Sequence, residues 1–231
     1  MIKAVFIDID DTLLDFDAYV RTSIRDGFSV YGLGEYTEET YQTFRRENTK
    51  IWHELEKGTI TFEQLLNTRF TRVFAALGIG FDGPTFETYF RGRLFDSAIP
   101  VEGAMEALTY LKKRYPLYAA SNGPCEQQKN RLRVGGMFDF FEDCFISEQI
   151  GHSKPSKEYF DYCLKKLNEG RETPLLPSEI IMIGDSLTSD MDGAIGSGLV
   201  SCFFDKKKSG QTGGRKIDYV ITSLSEIPSI L

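Results

Sequence analysis

The sequence predicts an α/β fold, a doubly wound parallel sheet with an inserted helical bundle, and three observations predict it. Short apolar runs of strand length fall at residues 2–8, 116–120, 143–147 and 180–184, and from residue 101 onward they alternate with helix-length segments. Residues 15–97 interrupt that order with aromatics at helical spacing and little continuous β-branched sequence. The chain's 231 residues are 41% hydrophobic, enough to bury a core without a disulfide or metal staple.

Each element has its own warrant. Residues 2–8 (Ile-Lys-Ala-Val-Phe-Ile-Asp) have the continuous apolar character of a central parallel strand. Within 15–97, Gly32, Gly34, Gly58, Gly78 and Gly80 divide the chain into about four pieces of helix length. Thr61 with Gln64, just ahead of Leu65 and Leu66, has the pattern of a capping box. Helix 101–114 carries Val101, Ala104, Met105, Leu108 and Leu111 on one face. Strand 116–120, a helix near 125–134 and strand 143–147 follow. Helix 156–168 has Ser156 as its N-cap and Tyr159, Phe160, Cys163 and Leu167 as its buried stripe. Strand 180–184 leads into a helix over 187–197, and strands near 199–204 and 218–221 complete the sheet. The expected domains are therefore 1–14 with 98–231, and an inserted 15–97. An insertion at the C-terminal end of a strand lies over the edge where such sheets bind ligands.

Lys and Arg number 27 and Asp and Glu 34, for a formal net charge of −7. Such an acidic balance argues against nucleic-acid polymers and anionic membranes as partners. No apolar run approaches the ~20 residues that cross a bilayer, and the N-terminus lacks the ordered regions of a signal peptide. Cys125, Cys144, Cys163 and Cys202 are widely spaced with no CxxC, which predicts reduced, buried thiols in a cytoplasmic protein. Lys206-Lys207-Lys208 reads as a solvated loop.

The chemistry gathers at strand ends. The first strand runs into Asp8-Ile9-Asp10-Asp11-Thr12, and Asp8 and Asp10 share a face if the extended conformation persists. Read alone, this string describes a solvated acidic turn equally well. Strand 180–184 ends the same way, in Gly184-Asp185-Ser186 with Asp190 beyond. A parallel sheet brings both groups to one edge. Oxygen-bearing acids there, with no His or Cys among them, make a hard-cation site that suits Mg²⁺ best. Ser121-Asn122-Gly123 follows strand 116–120 and opens a helix, which fits either an anion site or a plain turn. Lys154 precedes Pro155 and helix 156–168, where it can reach a phosphate or the carboxylates, or simply lie on the surface.

Taken in order, DxDxT, strand–Ser-Asn-Gly, Lys-Pro and strand–Gly-Asp-Ser…Asp resemble the four motifs of the haloacid dehalogenase-like (HAD) hydrolase superfamily. The resemblance covers the whole chain, with 15–97 looking like a C1-type helical cap. The stretch from Ile51-Trp52 through Lys57-Gly58-Thr59-Ile60-Thr61, with Gln64 and Arg69-Phe70, is similar to pyrimidine 5′-nucleotidases. So are Gly151-His152-Ser153-Lys154-Pro155 and the segment Gly184–Asp190.

The resemblance implies a Mg²⁺-dependent phosphatase, with Mn²⁺ or Co²⁺ as substitutes, acting on a small phosphorylated metabolite such as a nucleoside monophosphate. Asp8 would be the nucleophile and Asp10 the general acid and then base. Asp8, Asp10 (by its backbone carbonyl) and Asp185 would hold the metal, and Asp190 would complete the shell or orient Lys154. Ser121 with the Asn122 and Gly123 amides would bind the phosphoryl oxygens, Lys154 would neutralise the nucleophile–phosphate pair, and Thr12 would support the motif turn and the substrate site. Asp10 favours phosphoryl transfer over dehalogenation, which needs no acid for a halide leaving group.

Phe16, Trp52 and Phe70, with Arg69 and His53, are candidates to recognise the rest of the substrate, with helix core as the alternative for each. Segments near 13–18 and 95–100 would hinge the cap. Rival readings are a sugar phosphate or phosphoglycolate phosphatase, a β-phosphoglucomutase-like mutase, and, outside enzymes, a phospho-Asp receiver or a catalytically idle binding protein. A receiver, however, carries its phosphorylated Asp on an inner strand and lacks a large helical insertion. The protein is expected to be a monomer or homodimer.

Overall fold

The apolar N-terminal run becomes β1 (Ala4–Ile7), with all four residues fully buried. Both faces of such a strand are covered, which is why its sequence does not alternate. The computed structural model describes residues 1–231, which divide into two compact units, Met1–Asp15 with Ala98–Leu231, and Phe16–Ser97.

The Phe16–Ser97 unit consists of α1 (Phe16–Tyr31), α2 (Glu38–Glu56), α3 (Phe62–Leu77) and α4 (Gly83–Phe95). Local chemistry sets the helix ends. Gln64 N–H donates to the Thr61 hydroxyl at 3.1 Å and Thr61 N–H donates to Gln64 Oε1 at 2.8 Å, the capping box expected from the spacing. Asp82 caps α4 by accepting from Thr85 N–H at 2.8 Å, and Gly78 ends α3 in the left-handed conformation at φ 69°.

The interior of this unit is aromatic. Phe44, Phe70, Phe74, Phe86 and Phe90 are all fully buried, and the Phe70 and Phe86 rings meet at 4.6 Å. Gly27 makes room for them, since a Cβ there would lie 2.5 Å from the Phe86 ring. Among these rings Arg69 makes a two-pronged ion pair with Glu87, its Nε donating at 2.9 Å. This corrects two candidates for substrate recognition. Phe70 is core, and the buried Arg69 guanidinium is committed to Glu87, because a charge taken out of water needs a partner. Phe16 lies half-buried against Tyr19 and Phe90, Trp52 lies half-buried beside Phe62, and His53 is exposed.

The other unit continues with α5 (Ala104–Lys112), β2 (Leu117–Ser121), α6 (Cys125–Val134), β3 (Asp143–Ile146), α7 (Ser147–Ile150) and α8 (Lys157–Asn168). It ends with β4 (Ile180–Gly184), α9 (Asp192–Gly196), β5 (Val200–Phe204), β6 (Tyr219–Ile221) and α10 (Ile227–Ile230). The six strands form one sheet in the order β3-β2-β1-β4-β5-β6, every pair parallel. This is the doubly wound sheet the sequence predicts. The chain winds from β1 out to β3, then returns to the other side of β1. That reversal opens a crevice beyond the C-terminal ends of β1 and β4.

Side chains alternate between the sheet's two faces. Val5, Ile7, Ile181 and Ile183 pack with Leu108 and Leu111 of α5, whereas Phe6 and Met182 pack with Tyr159, Phe160 and Cys163 of α8. Burying Phe6 in this way contributes roughly 2–3 kcal/mol.

Two expected helices differ. The first starts at Ala104, after a turn through Gly103 at φ 80°, so residues 101–103 are not helical. The segment expected as a helix over 187–197 is instead a π turn, Leu187–Met191, followed by the short α9. Side chains cap it: Ser186 Oγ accepts from Ser189 N–H at 3.1 Å, and Asp190 Oδ2 accepts from Ser186 N–H at 3.0 Å. Met191 N–H donates to the Ser186 carbonyl at 3.0 Å, five residues back, which closes the wider turn. All four cysteines are free, and Cys125 is half-exposed where a buried thiol was expected. No helix is long and apolar enough to cross a membrane.

Candidate active site

The crevice fixes where the acids sit. Ile7 pairs with Ile183 and with Ala119, so Asp8, Asp185 and Ser121 all emerge at one edge of the sheet. Carboxylate oxygens of Asp8, Asp185 and Asp190 converge to within 4.8 Å of one another. Gly184 permits this, because a Cβ there would fall 2.2 Å from Asp190 Oδ2.

Lys154 enters this cluster almost fully buried. Its Nζ donates to Asp8 Oδ1 at 2.6 Å, to Asp190 Oδ1 at 2.6 Å and to the Ala120 carbonyl at 2.7 Å. All three ammonium protons are therefore placed. Asn122 seats the lysine: its side-chain amide accepts from Lys154 N–H and donates to the Lys154 carbonyl, both at 2.9 Å. Asp190, with one oxygen on Lys154 and the other on Ser186 N–H, orients the lysine, one of the two roles open to it.

Electrostatics follow from the packing. Burial pushes the Asp8 carboxyl up to about 7, against the pull of Lys154, and Asp190 adds to the rise. Burial raises Asp185 well above the ordinary carboxylate range, with Asp11 and Asp8 adding repulsion. Burial alone would lower Lys154, but Asp190 and Asp8 outweigh it and hold the ammonium charged. Fully ionised, three carboxylates against one ammonium would leave two negative charges uncompensated. An all-oxygen donor set with that excess can hold one hard divalent cation.

The carboxylates of Asp8 and Asp10 do not share partners, because the strand ends at Ile7 and Asp11 turns the chain at φ 57°. Asp10, its side chain 35% exposed, accepts from Arg131 Nη1 at 2.6 Å and from Gln128 Nε2 at 2.7 Å. Neither α6 residue stands out in the sequence. Ser121 Oγ accepts from Gln128 Nε2 at 2.8 Å and from Gly123 N–H at 3.2 Å. Thr12 is fully buried and its hydroxyl donates to Asp8 Oδ2 at 3.4 Å, which ties the turn after β1 to that carboxylate. In the lysine run, Lys206 pairs with Asp15 at 2.8 Å, so that residue is tethered.

A family model described as haloacid dehalogenase-like hydrolase matches residues 2–198. The chain is 31% identical over 230 residues to YfnB of Bacillus subtilis (strain 168), named only as a HAD-hydrolase, covering 99% of this chain and 95% of that protein. It is 28% identical over 227 residues to pyrimidine 5′-nucleotidase YjjG of Escherichia coli (strain K12), covering 98% and 96%. It is 30% identical over 205 residues to pyrimidine 5′-nucleotidase PynA of Streptococcus pneumoniae (strain ATCC BAA-255 / R6), covering 88% and 84%. The crystal structure of YfnB bound to magnesium matches with a TM-score of 0.89 at 30% identity, covering 100% of this chain and 98% of that one.

Proposed function

The chain belongs to the haloacid dehalogenase-like hydrolases, and from that premise we propose that it is a Mg²⁺-dependent phosphatase of small phosphomonoesters, a pyrimidine nucleoside 5′-monophosphate first among them. The observation that carries the reading is the separation of two carboxylates two residues apart. Asp8 is buried with Lys154 among the clustered acids, while Asp10 is partly exposed and held by a different set of donors. One is built to attack and the other to move a proton.

In the proposed reaction the Asp8 carboxylate attacks phosphorus, the ester P–O bond breaks, and Asp10 gives its proton to the departing oxygen. A water then attacks the aspartyl-phosphate as Asp10 takes its proton, releasing phosphate and restoring Asp8. Ser121 and the Asn122 amide hold the phosphoryl oxygens, and Lys154 keeps Asp8 charged and aimed. Asp8, Asp185 and the Asp10 carbonyl would hold Mg²⁺, which offsets charge on the transferring phosphoryl group. In this reading residues 15–97 are a C1-type helical cap. The nucleotide preference is supported by the names of two relatives, YjjG and PynA.

The test is a panel of UMP, dUMP and dTMP with purine monophosphates, sugar phosphates and phosphoglycolate, compared by kcat/KM with and without Mg²⁺. The pyrimidine nucleotides are expected to lead. A sugar phosphate in first place overturns the nucleotide reading. No turnover of any substrate, p-nitrophenyl phosphate included, overturns the phosphatase reading.

Metal linkage gives a second expected outcome. The raised carboxyls of Asp8 and Asp185 mean that the metal-free folded chain binds protons more tightly than the unfolded chain. The stability these two groups contribute therefore falls as pH rises from about 4 to about 7. A cation that displaces those protons must stabilise most where they are already gone. Thermal melts should show a larger Tm gain from Mg²⁺ near pH 8 than near pH 5. An equal gain at both would place the metal elsewhere.

A further inference from the structure

Two buried polar residues of α6 have no part in the reaction above. Gln128 is fully buried and Arg131 is 1% exposed, on a helix whose polar sequence otherwise suits solvent. One turn apart, they share a helix face. Arg131 Nη1 donates to Asp10 Oδ1 at 2.6 Å and to Gln128 Oε1 at 2.9 Å. Gln128 Nε2 donates to Asp10 Oδ2 at 2.7 Å and to Ser121 Oγ at 2.8 Å. The amide orientation is thereby fixed, since a flip would set its oxygen against the Asp10 carboxylate. Gly123 is shaped around the same bracket: a Cβ there would lie 2.7 Å from the Gln128 side chain.

We infer that Gln128 and Arg131 are positioning residues for the proton transfer at the leaving group, and that Gln128 couples that step to phosphoryl binding through Ser121. The inference rests on the phosphatase reading with Asp10 as its acid. A carboxylate offers about four lone-pair directions. The bracket takes one on each oxygen from the α6 side and leaves the others on the exposed side. When the P–O bond breaks, the leaving oxygen takes the Asp10 proton, and the carboxylate left behind stays in place on two donors. Ser121 Oγ already accepts from Gln128 and from Gly123 N–H, so its one proton is left to donate to a phosphoryl oxygen.

The experiment compares kcat/KM for dTMP, whose leaving alkoxide needs a proton, with p-nitrophenyl phosphate, whose leaving phenolate does not. Both are read on the same preparation, so any loss of folded protein cancels in the ratio. Asp10→Ala sets the full change in the ratio. Arg131→Met is expected to lower dTMP turnover about 10- to 100-fold and p-nitrophenyl phosphate turnover less than about threefold, whereas Gln128→Met, which also releases Ser121, is expected to lower both, dTMP by about tenfold more. Arg131→Lys is expected to recover part of the ratio.

If Asp10→Ala shifts the ratio but the α6 variants lower both substrates equally, the bracket only braces the fold and the inference is overturned. If Asp10→Ala leaves the ratio unchanged while the wild type turns over both, the acid assignment fails and takes the inference with it. If the wild type turns over neither, the phosphatase reading itself is what fails.

Discussion

Asp8→Asn is expected to abolish phosphate release, with a loss of about 10⁴-fold or more in kcat, the scale on which removing a covalent nucleophile acts, if Asp8 has the role proposed for it. The substitution changes little in shape. The asparagine carbonyl can still accept from Lys154, as Asp8 Oδ1 does at 2.6 Å. What is lost is the negative oxygen proposed to bond to phosphorus. Stability should move the other way. The Asp8 carboxyl is pushed up to about 7 by burial, so at pH 8 the metal-free protein carries the whole cost of ionising it. Deleting that charge removes the cost, and the melting temperature without metal should hold or rise. The pair of readouts matters, because a variant that is inactive because it is unfolded would show the opposite. Release of inorganic phosphate in a single turnover, beside a thermal melt, checks both. Activity within about tenfold of wild type would remove Asp8 from the chemistry.

Much of this architecture is legible because parallel sheets leave strong local marks. Ile180–Gly184 is a strand end to end as expected, since a run of apolar and β-branched residues with both faces covered has few other homes. The Thr61–Gln64 box and the Ser156 cap are equally local, being hydrogen bonds across three residues. Acids at the ends of β1 and β4 meet because every strand of a parallel sheet ends at the same edge, so sequence distance is no obstacle.

Most features that escaped depend on partners far away in sequence. Gln128 and Arg131 lie in the polar stretch Cys125–Val134, where helical periodicity points to solvent, and their partner Asp10 lies at the end of the first strand. Arg69 looks like a free cation until Glu87 is packed against it. The π turn at Leu187–Met191 escaped for a different reason, since its bonds are local. It differs from an α-turn by a single backbone bond, Met191 N–H to the Ser186 carbonyl, which periodicity does not distinguish. Buried polar groups answer to hydrogen-bond completeness, a property of the assembled fold and not of any window of sequence.

Lys154→Met should cost about 3–5 kcal/mol of stability at pH 8 without metal, the scale for stranding buried charges by removing their partner. The lysine's three donations go to Asp8, Asp190 and the Ala120 carbonyl, and methionine fills the space without making any of them. The remaining acids answer by holding protons, so the loss should shrink as pH falls and they neutralise one another. A second substitution separates balance from chemistry. Lys154→Met with Asp190→Asn removes one of the two carboxylates that the lysine served, and most of the stability should return. Activity should not return, and is expected to stay down by about 10²- to 10³-fold or more. Asp8 would still lack its ammonium donor, and the negative charge gathering on the phosphoryl group would still lack the ammonium proposed to help offset it. Chemical denaturation and phosphate release on the same two proteins decide the matter. If the double variant recovers both stability and turnover, Lys154 serves only to neutralise Asp190, and the charge stabilisation assigned to it belongs to other groups at the sheet edge.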